Sequence, residues 1–590
     1  MPDPVHILTE RLQGAIGAAF GPELAGADPV LRRAGQARFG DYQANAAMAL
    51  SKRLGRPGRD VADAILAHLD GRGVVAKAEV AGGGFINLTL DDTYLARETE
   101  ASAASPTFGV ARTAAPRRFV VDFAGPNVAK EMHVGHLRSC AIGDALARIL
   151  EFLGHRVMRQ DHLGDWGRQF GMLIEHLVDL GWDTADAGSG APRSISDLNE
   201  LYRQAQEKLD SDPAFADRSR TRVVALQSGD ARSMALWKEL VAESRRHFEE
   251  VYRRLGVTLR PEDVRPESFY NETLGPMVAE LEHKGLVAVD QGALCAFPEG
   301  FTGRDGGPLP LIVRNSFGGY GYAATDLAGV RFSVRDLGAD RLVYVTDARQ
   351  AQHFAMVFAV AGQAGWLGER AAAEHAPFGT ILGPDNKPFK TRSGDTIRLA
   401  DLLDEAVERA RAVVVEKSPD LDADAAAAVA EAVGIGSVKY NDLANDRVKD
   451  YVFDWDRMLA REGNTAPYLQ YAHARIHSIF RRGSEMEMAQ EPAHAGDIHL
   501  VLAEPQERAL ALALVGFDGA VHATATHLQP HRLCTYLFEL ATTFTTFYEA
   551  CPVLRADPEV RESRLGLSAL TAAVLGRGLD LLGIAAPQRM

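Results

Sequence analysis

Residues 120–150 constrain the fold of this chain more than any other segment. The apolar run at residues 119–123 predicts a buried β-strand, and residues 125–127 follow it as a turn of small residues. A helix is predicted over residues 133–154. A strand, a tight turn and a helix N-terminus can bind an anion through backbone N–H groups and the positive end of the helix dipole. The segment therefore predicts a phosphate site.

The next segments repeat this pattern. A strand is predicted at residues 156–160 and a helix at residues 167–180, and a further short buried strand is predicted at residues 343–345. Successive β-α units indicate a doubly wound parallel sheet, in which ligands bind at the carboxyl ends of the strands. The loops that follow these strands, at residues 161–171 and 346–350, should face that crevice.

Two histidines stand on the first turn of the predicted helix. His133 and His136 could donate hydrogen bonds to phosphoryl oxygens as charge develops on them, and Gly135 leaves room for a flat ring. Taken alone, the pair could equally be ordinary capping histidines.

A second phosphate candidate lies at residues 378–397, where a strand and a flexible turn lead to Lys387, Lys390 and Arg392. Mobile cations of this kind stabilise the charge on a leaving pyrophosphate. Without the histidine motif, such a loop could simply be solvated.

Composition excludes several classes of protein. At 590 residues and 46% hydrophobic, the chain should bury several cores in three or four domains. A net charge of −15 argues against a broadly basic nucleic-acid coat, although clustered basic residues could still bind RNA. Four scattered cysteines without a CxxC pair predict neither zinc nor disulfides and indicate a cytoplasmic protein. We expect no apolar run to be long enough to span a membrane, and we expect no membrane partner.

The string PNVAKEMHVGHLRS resembles the arginyl-tRNA synthetases, and its HVGH resembles the HIGH motif of the class I aminoacyl-tRNA synthetases. The DHLGDWGRQFG loop, the basic loop as a degenerate KMSKS element and the terminal Pro-x-Arg-Met are also similar to that family. The resemblance extends over essentially the full length. It implies an α/β fold: a Rossmann-type parallel-sheet catalytic domain with a helical insertion, a small α+β N-terminal domain and an all-α C-terminal anticodon-binding bundle.

The implied domains are residues 1–112, an additional tRNA-binding domain; 113–400, the catalytic domain with an insertion at about 184–256; 401–460, a helical connecting region; and 461–590, the anticodon-binding domain. The implied reaction joins L-arginine to tRNA(Arg) through arginyl-adenylate, with ATP as substrate, Mg²⁺ accompanying ATP and no tightly bound cofactor or dedicated metal site. Family behaviour implies that tRNA binds before arginine is activated. A monomer is expected.

A guanidinium needs planar acceptors, and its burial requires carboxylates, so an arginine pocket should present acidic groups at strand ends. Asp122, Glu267 and Asp326 stand at such places, and Tyr322 could add a flat wall. Taken singly, the three acids could be a strand-end charge, a surface-loop residue and a helix N-cap. The resemblance implies that all four bind the arginine side chain.

Further roles are carried by the resemblance alone. Asn127 and Gln350 would hold the amino and carboxylate ends of arginine. The phosphates of ATP would be bound or neutralised by residues of the two motifs: Gly125, Pro126, Lys130, His133, Gly135, His136, Lys390 and Arg392. Two positions depart from the commoner family pattern, which has glutamate at Asp122 and serine at Gly125.

Aromatic and basic side chains outside the sheet are candidates for tRNA contact, although each could instead be helix core or solvated surface. In the N-terminal part they are Phe39, Tyr42 and Gln43; in the insertion, Arg245, Arg246, Arg253 and Arg254; in the C-terminal bundle, Tyr468, Tyr471, His473, Arg475, Arg481 and Arg482. Three alternatives to a housekeeping enzyme remain: a non-catalytic tRNA-binding paralogue, a nucleotidyltransferase of the same sheet class and a specialised duplicate.

Overall fold

A computed structural model describes residues 3–128, 130–167, 169–182, 198–303, 306–389, 397–486 and 498–590. The chain forms two compact units. The sheet unit comprises Ala114–Leu459 and Leu581–Ile584, and the terminal unit comprises Met1–Thr113, Ala460–Asp580 and Ala585–Met590. The finer domain boundaries given above stay predictions.

The amino-terminal part of the terminal unit is an α+β fold. Its elements are α1 (Pro4–Phe20), β1 (Leu31–Arg33), β2 (Tyr42–Ala44), α2 (Ala46–Leu54), α3 (Gly58–Ala67), β3 (Val75–Ala81), β4 (Phe85–Leu90) and α4 (Asp92–Ala104). The strands form an antiparallel sheet in the order β1-β2-β4-β3. Tyr42 is buried in the core and Gln43 donates to Asn87, which favours the packing interpretation of these two residues over stacking on a nucleotide.

The sheet unit alternates strands and helices. Its elements are β5 (Arg118–Asp122), α5 (Val134–Phe152), β6 (Arg156–Gln160), α6 (Gln169–Asp179), α7 (Leu198–Ser211), α8 (Pro213–Gln227), α9 (Ala231–Leu255), α10 (Asn271–His283), β7 (Val287–Asp290), β8 (Ala293–Ala296), β9 (Leu311–Arg314), α11 (Tyr322–Arg335), β10 (Arg341–Tyr344), α12 (Ala351–Gln363), β11 (Ala372–His375), β12 (Ile381–Leu382), α13 (Leu399–Lys417), α14 (Ala423–Leu443), β13 (Tyr451–Val452) and α15 (Trp455–Met458).

Four parallel strands form the central sheet, in the order β11-β10-β5-β6. The strands predicted from the sequence are confirmed as β5, β6 and β10 to within two residues at each end. Chain order reverses between β5 and β10: β6 lies on one side of β5 and β10 on the other. Their carboxyl ends therefore open a crevice at a topological switch point. Strands β7, β8 and β9 form a separate antiparallel sheet.

Helix α5 packs closely against the strand that precedes it. A Cβ at Gly143 would come within 2.3 Å of the Phe123 ring, so glycine is needed where the helix crosses the strand end. Arg138, buried on the same helix, donates to Asp442 on α14 at 2.9 Å. These contacts fix the helix that carries the histidine motif.

The helical insertion differs from expectation. Helices near residues 198–209 and 234–255 are confirmed as α7 and α9, but α8 was not predicted. Its sequence mixes arginines with β-branched residues and shows little segregation of apolar residues to one face. Arg245, Arg246 and Arg253 pair with glutamates of their own helix, and Arg254 pairs with Asp404. These contacts favour the surface interpretation of the four arginines.

The carboxyl-terminal part of the terminal unit is an all-helical bundle of α16 (Ala466–Glu485), α17 (Pro505–Leu514), α18 (Phe517–His527), α19 (His531–Ala550) and α20 (Pro558–Leu581). His473 is buried against the backbone oxygen of Pro587, so it is not free for stacking. By length and composition Pro505–His527 could cross a membrane, so the expectation that no run is long enough was wrong. Half of its apolar window is buried, as in a bundle core, which makes this weak evidence for a membrane span.

Candidate active site

A cavity of about 670 Å³ lies at the carboxyl ends of β5 and β10. It brings together ten of the predicted residues: Asp122, Gly125, Asn127, His133, Gly135, His136, Glu267, Tyr322, Asp326 and Gln350. Two others do not line it: Pro126 is buried in the turn, and Lys130 places its ammonium 4.4 Å from the ring centre of Tyr202. Lys390 and Arg392 lie outside the described residues.

The acidic end of the cavity contains the three predicted carboxylates. Asp122 is the last residue of β5 and accepts a 2.8 Å hydrogen bond from the Gln160 amide. Asp326 lies within α11, so its interpretation as an N-cap was wrong, and its carboxylate lies 2.6 Å from Nε2 of His353. Glu267 begins a 3-10 turn. None of the three pairs with a lysine or arginine in the described part of the chain.

Burial and repulsion from neighbouring acids raise the pKa values of two of these carboxyl groups, those of Asp122 and Glu267. Burial raises the pKa of Asp122 well above its usual value, and Asp161 and Asp326 raise it further. Burial raises the pKa of Glu267 to about 8, with added repulsion from Asp326 and Asp165. An incoming cation favours the ionised carboxylates and so opposes both shifts, which makes this end of the cavity suited to positive charge.

Three predicted residues line the rim. Tyr322 begins α11, is two-thirds exposed and contacts His353 edge-on. Gln350 is exposed at the start of α12. The side chain of Asn127 covers Gly164, where an added Cβ would come within 2.2 Å of Oδ1. The glycine therefore allows the two loops to meet.

The other end of the cavity contains the two histidines. His133 caps α5: its Nδ1 accepts a 3.1 Å hydrogen bond from the Gly135 N–H, and Nδ1 of His136 accepts a 3.0 Å bond from the His133 N–H. Burial lowers both pKa values, that of His136 to about 3, and Lys130 and Arg349 lower that of His133 further. Both rings are therefore neutral with the proton on Nε2, which leaves Nε2–H as a donor.

The predicted role of the backbone N–H groups was wrong at two positions. The Val134 N–H donates to the Ile397 oxygen, and the Gly125 N–H donates to Asp161. Glycine at position 135 is also required by the His133 ring, because a Cβ there would come within 2.8 Å of it. The predicted place of Gly135 beside a bound ring stays a prediction. The imidazoles, rather than these N–H groups, are the donors available at this end.

Asp161, which the sequence did not single out, holds several walls of the cavity in place. Its fully buried carboxylate accepts 3.0 Å hydrogen bonds from the Gly125 N–H and from the Tyr252 hydroxyl of α9. Its own backbone bonds to Asp263 and Arg265, just before Glu267. Burial raises its pKa to about 7, against the opposing effect of these hydrogen bonds.

Other lining residues were also missed. Ser139 on α5 donates to the Val345 oxygen and accepts from the Ala124 N–H, which ties the two strand ends together. Arg349 is clamped by both oxygens of Asp347 at the cavity rim. His162 and Tyr344 complete the wall. The sequence held a partial signal for these residues, because His162 and Arg349 lie in loops predicted to face the crevice and Tyr344 lies in the predicted strand at residues 343–345.

Three family models match successive parts of the chain: "Arginyl tRNA synthetase N terminal domain" at residues 6–90, "tRNA synthetases class I (R), catalytic domain" at 105–455 and "DALR anticodon binding domain" at 469–590. The arginine--tRNA ligase of Thermobifida fusca is 54% identical, with 100% of both chains covered. That of Frankia casuarinae is 52% identical, with 99% of each covered.

A solved structure agrees with the sequence matches. The arginyl-tRNA synthetase of Plasmodium falciparum superposes with a TM-score of 0.85 at 27% identity, and 100% of each chain is covered. The α/β fold with an N-terminal domain and a helical anticodon-binding domain is thereby confirmed. The chain belongs to the arginyl-tRNA synthetases, the class I enzymes that ligate arginine to tRNA.

Proposed function

We propose that the cavity at the carboxyl ends of β5 and β10 is the arginine-activating site and that the residues named above carry the reaction. One observation supports this: the two ends of the cavity differ in chemistry. One end is acidic, and its carboxyl groups have no lysine or arginine partner among the described residues. The other end presents two neutral imidazole donors. A cationic side chain and an anionic phosphate chain fit opposite ends of such a cavity.

The guanidinium of arginine lies among the carboxylates of Asp122, Glu267 and Asp326, with the ring of Tyr322 as a wall. Arginine keeps its proton at any physiological pH, so its charge offsets the repulsion among these groups. Asn127 and Gln350, on the rim, hold the amino and carboxylate ends. This orientation turns the arginine carboxylate towards the histidines.

ATP lies against His133 and His136, whose Nε2–H groups donate to its phosphates. Gly125, Pro126 and Gly135 shape the turns beside the nucleotide, and Lys130 contributes positive charge near His133. Lys390 and Arg392 neutralise the departing pyrophosphate. Neutral donors suit this task because they stabilise charge as it forms.

Activation joins the arginine carboxylate to the α-phosphorus of ATP and releases pyrophosphate. The terminal ribose hydroxyl of tRNA(Arg) then attacks the arginyl carbonyl and releases AMP. The first step depends on position and charge stabilisation, so it needs no side-chain nucleophile.

Mg²⁺ reaches the site on the phosphates of ATP. Delivery by the nucleotide fits the usual binding of Mg²⁺ through substrate phosphates. The enzyme acts as a monomer in the cytoplasm, where its four buried cysteines stay as thiols. Light scattering of the purified protein tests the monomer.

The test is arginine-dependent ATP–pyrophosphate exchange, run with and without tRNA and with lysine, glutamate and canavanine beside arginine. Exchange should require both arginine and tRNA. Glu267→Gln should raise the KM for arginine, whereas the exposed control Glu369→Gln should not. Tight tRNA binding without exchange under any condition would contradict the assignment of the site.

A further inference from the structure

Two polar atoms in the cavity wall are buried without a hydrogen-bond partner among the described residues. They are the hydroxyl of Tyr344 and Nε2 of His162. Buried polar atoms in native proteins are nearly always bonded, and an unpaired one costs stability. Two such atoms in the wall of one cavity indicate a ligand that pairs with both.

Strand register places the Tyr344 side chain beside a predicted arginine ligand. Tyr344 is the last residue of β10 and is the register partner of Asp122 on β5, which in turn is the partner of Gln160 on β6. Side chains at paired positions of parallel strands point to the same face of the sheet. The phenol ring packs on Phe354, 5.0 Å between ring centres, so its hydroxyl is held in one place.

His162 approaches the same end of the cavity from the loop after β6. Its ring stacks on Tyr270 at 5.7 Å, and the Tyr270 hydroxyl contacts Gln160, which in turn donates to Asp122. Burial lowers the pKa of His162, and burial raises that of Tyr344, with added repulsion from Asp122. Both groups are therefore neutral at pH 7 and can accept a hydrogen bond.

A guanidinium is the cation that such a wall fits. It presents five N–H donors in one plane, more than a lysine ammonium offers, and each needs an acceptor once the side chain is buried. We propose that Tyr344 and His162 are specificity-determining residues that accept hydrogen bonds from the arginine guanidinium beside the three carboxylates. This inference rests on the proposed assignment of the acidic end to the arginine side chain.

Tyr344→Phe and His162→Phe test the proposal, because each keeps an aromatic ring and removes the unpaired polar atom. In aminoacylation assays, each should raise the KM for arginine about tenfold or more, the size expected for a hydrogen bond to a charged group. The kcat and the KM for ATP should stay within about twofold, since the contact is the same in the ground state and the transition state.

Stability separates this role from a structural one. Because each substitution removes an unpaired buried group, the arginine-free variant should resist urea as well as the unsubstituted protein or better. Added arginine should then protect the variant less. A variant that unfolds more readily with its KM for arginine unchanged would overturn the proposal. Tyr451→Phe, at a buried tyrosine of the same unit outside the cavity wall, is the matched control.

Two comparisons identify the contacted group. Agmatine keeps the guanidinium and lacks the carboxylate, so its inhibition constant should rise by the same factor as the KM for arginine; an unchanged constant would place the contact elsewhere. Asp326→Asn tests the acidic end itself. If it leaves the KM unchanged, the proposed function of this end fails. If it raises the KM while both phenylalanine variants do not, only the present inference fails.

Discussion

Arginine binding should depend on pH because the cavity carboxyls hold protons that a guanidinium must displace. Asp122 and Glu267 have raised pKa values, about 8 for Glu267. We expect the KM for arginine to fall as pH rises from about 6 to about 9, since more of the carboxyls are ionised beforehand. Calorimetry in buffers of different ionisation enthalpy should show proton release at pH 7. Glu267→Gln should reduce the number of protons released.

The same protons set the stability of the arginine-free protein. A carboxyl whose pKa is raised on folding favours the folded state below its unfolded pKa, and that contribution is lost as pH rises through the folded value. For Glu267 this window runs from about 4.5 to about 8. Between pH 6 and pH 8.5, the free energy of unfolding measured in urea should therefore fall more without arginine than with it. If the free energy of unfolding fell equally with and without arginine, the carboxyl protons would not be what arginine displaces.

His136 should matter for rate far more than for folding. We expect His136→Ala to lower kcat by about 10²- to 10³-fold, as when a transition-state donor is removed. Its hydrogen bond to the His133 N–H helps to cap α5, so the free energy of unfolding should fall by about 1 kcal/mol. Steady-state kinetics and urea unfolding measure both. The exposed control His283→Ala should change neither.

Sequence patterns identified the elements whose apolar residues are distinct, and missed contacts that depend on register or side-chain direction. The strand-helix-strand core and the residues at its carboxyl edge were predictable because ligands of parallel sheets bind there. The hydrogen bonds of the Gly125 and Val134 N–H groups were not predictable, because their acceptors lie far along the chain. Tyr344 became significant only once the register placed it beside Asp122.

The link between the insertion and the catalytic turn can be tested at Asp161. Asp161→Ala leaves the Gly125 N–H and the Tyr252 hydroxyl without their acceptor, so unfolding free energy should fall by about 2–4 kcal/mol and the KM for arginine should rise. Asp161→Asn keeps an acceptor for the Gly125 N–H, so it should retain most of the unfolding free energy and most of the affinity for arginine. Urea unfolding and arginine kinetics of the two variants decide it. If the alanine and asparagine variants were equally impaired, the charge of Asp161 rather than its hydrogen bonds would be responsible.

The terminal unit joins parts of the chain that are far apart in sequence. The N-terminal α+β fold and the C-terminal helices each follow from local patterns, but their association in one compact unit does not. Side chains between α17 and the N-terminal part contribute to it. Leu500 and Ala111, in addition, bond through their N–H groups to Glu100 and Asp518. No local periodicity could have indicated these pairs.

Arg508 on α17 is the strongest of these links. Its guanidinium binds both oxygens of buried Asp41 at 2.7 and 2.8 Å and contacts Asp92 and the Leu90 oxygen. Arg508→Ala leaves Asp41 buried without its cation, so we expect a loss of about 2–3 kcal/mol in unfolding free energy. Arg508→Lys should be intermediate because it cannot bind both oxygens in one plane.

The functional consequence should be confined to tRNA. Because the cavity lies in the sheet unit, Arg508→Ala should raise the KM for tRNA and leave the KM for arginine within about twofold. The exposed pair of Arg72 with Asp70 gives the control: Arg72→Ala should leave the unfolding free energy, the KM for tRNA and the KM for arginine nearly unchanged, because an exposed ion pair contributes little. If Arg508→Ala has the same unfolding free energy and the same KM for tRNA as the unsubstituted protein, Arg508 does not hold the terminal unit together.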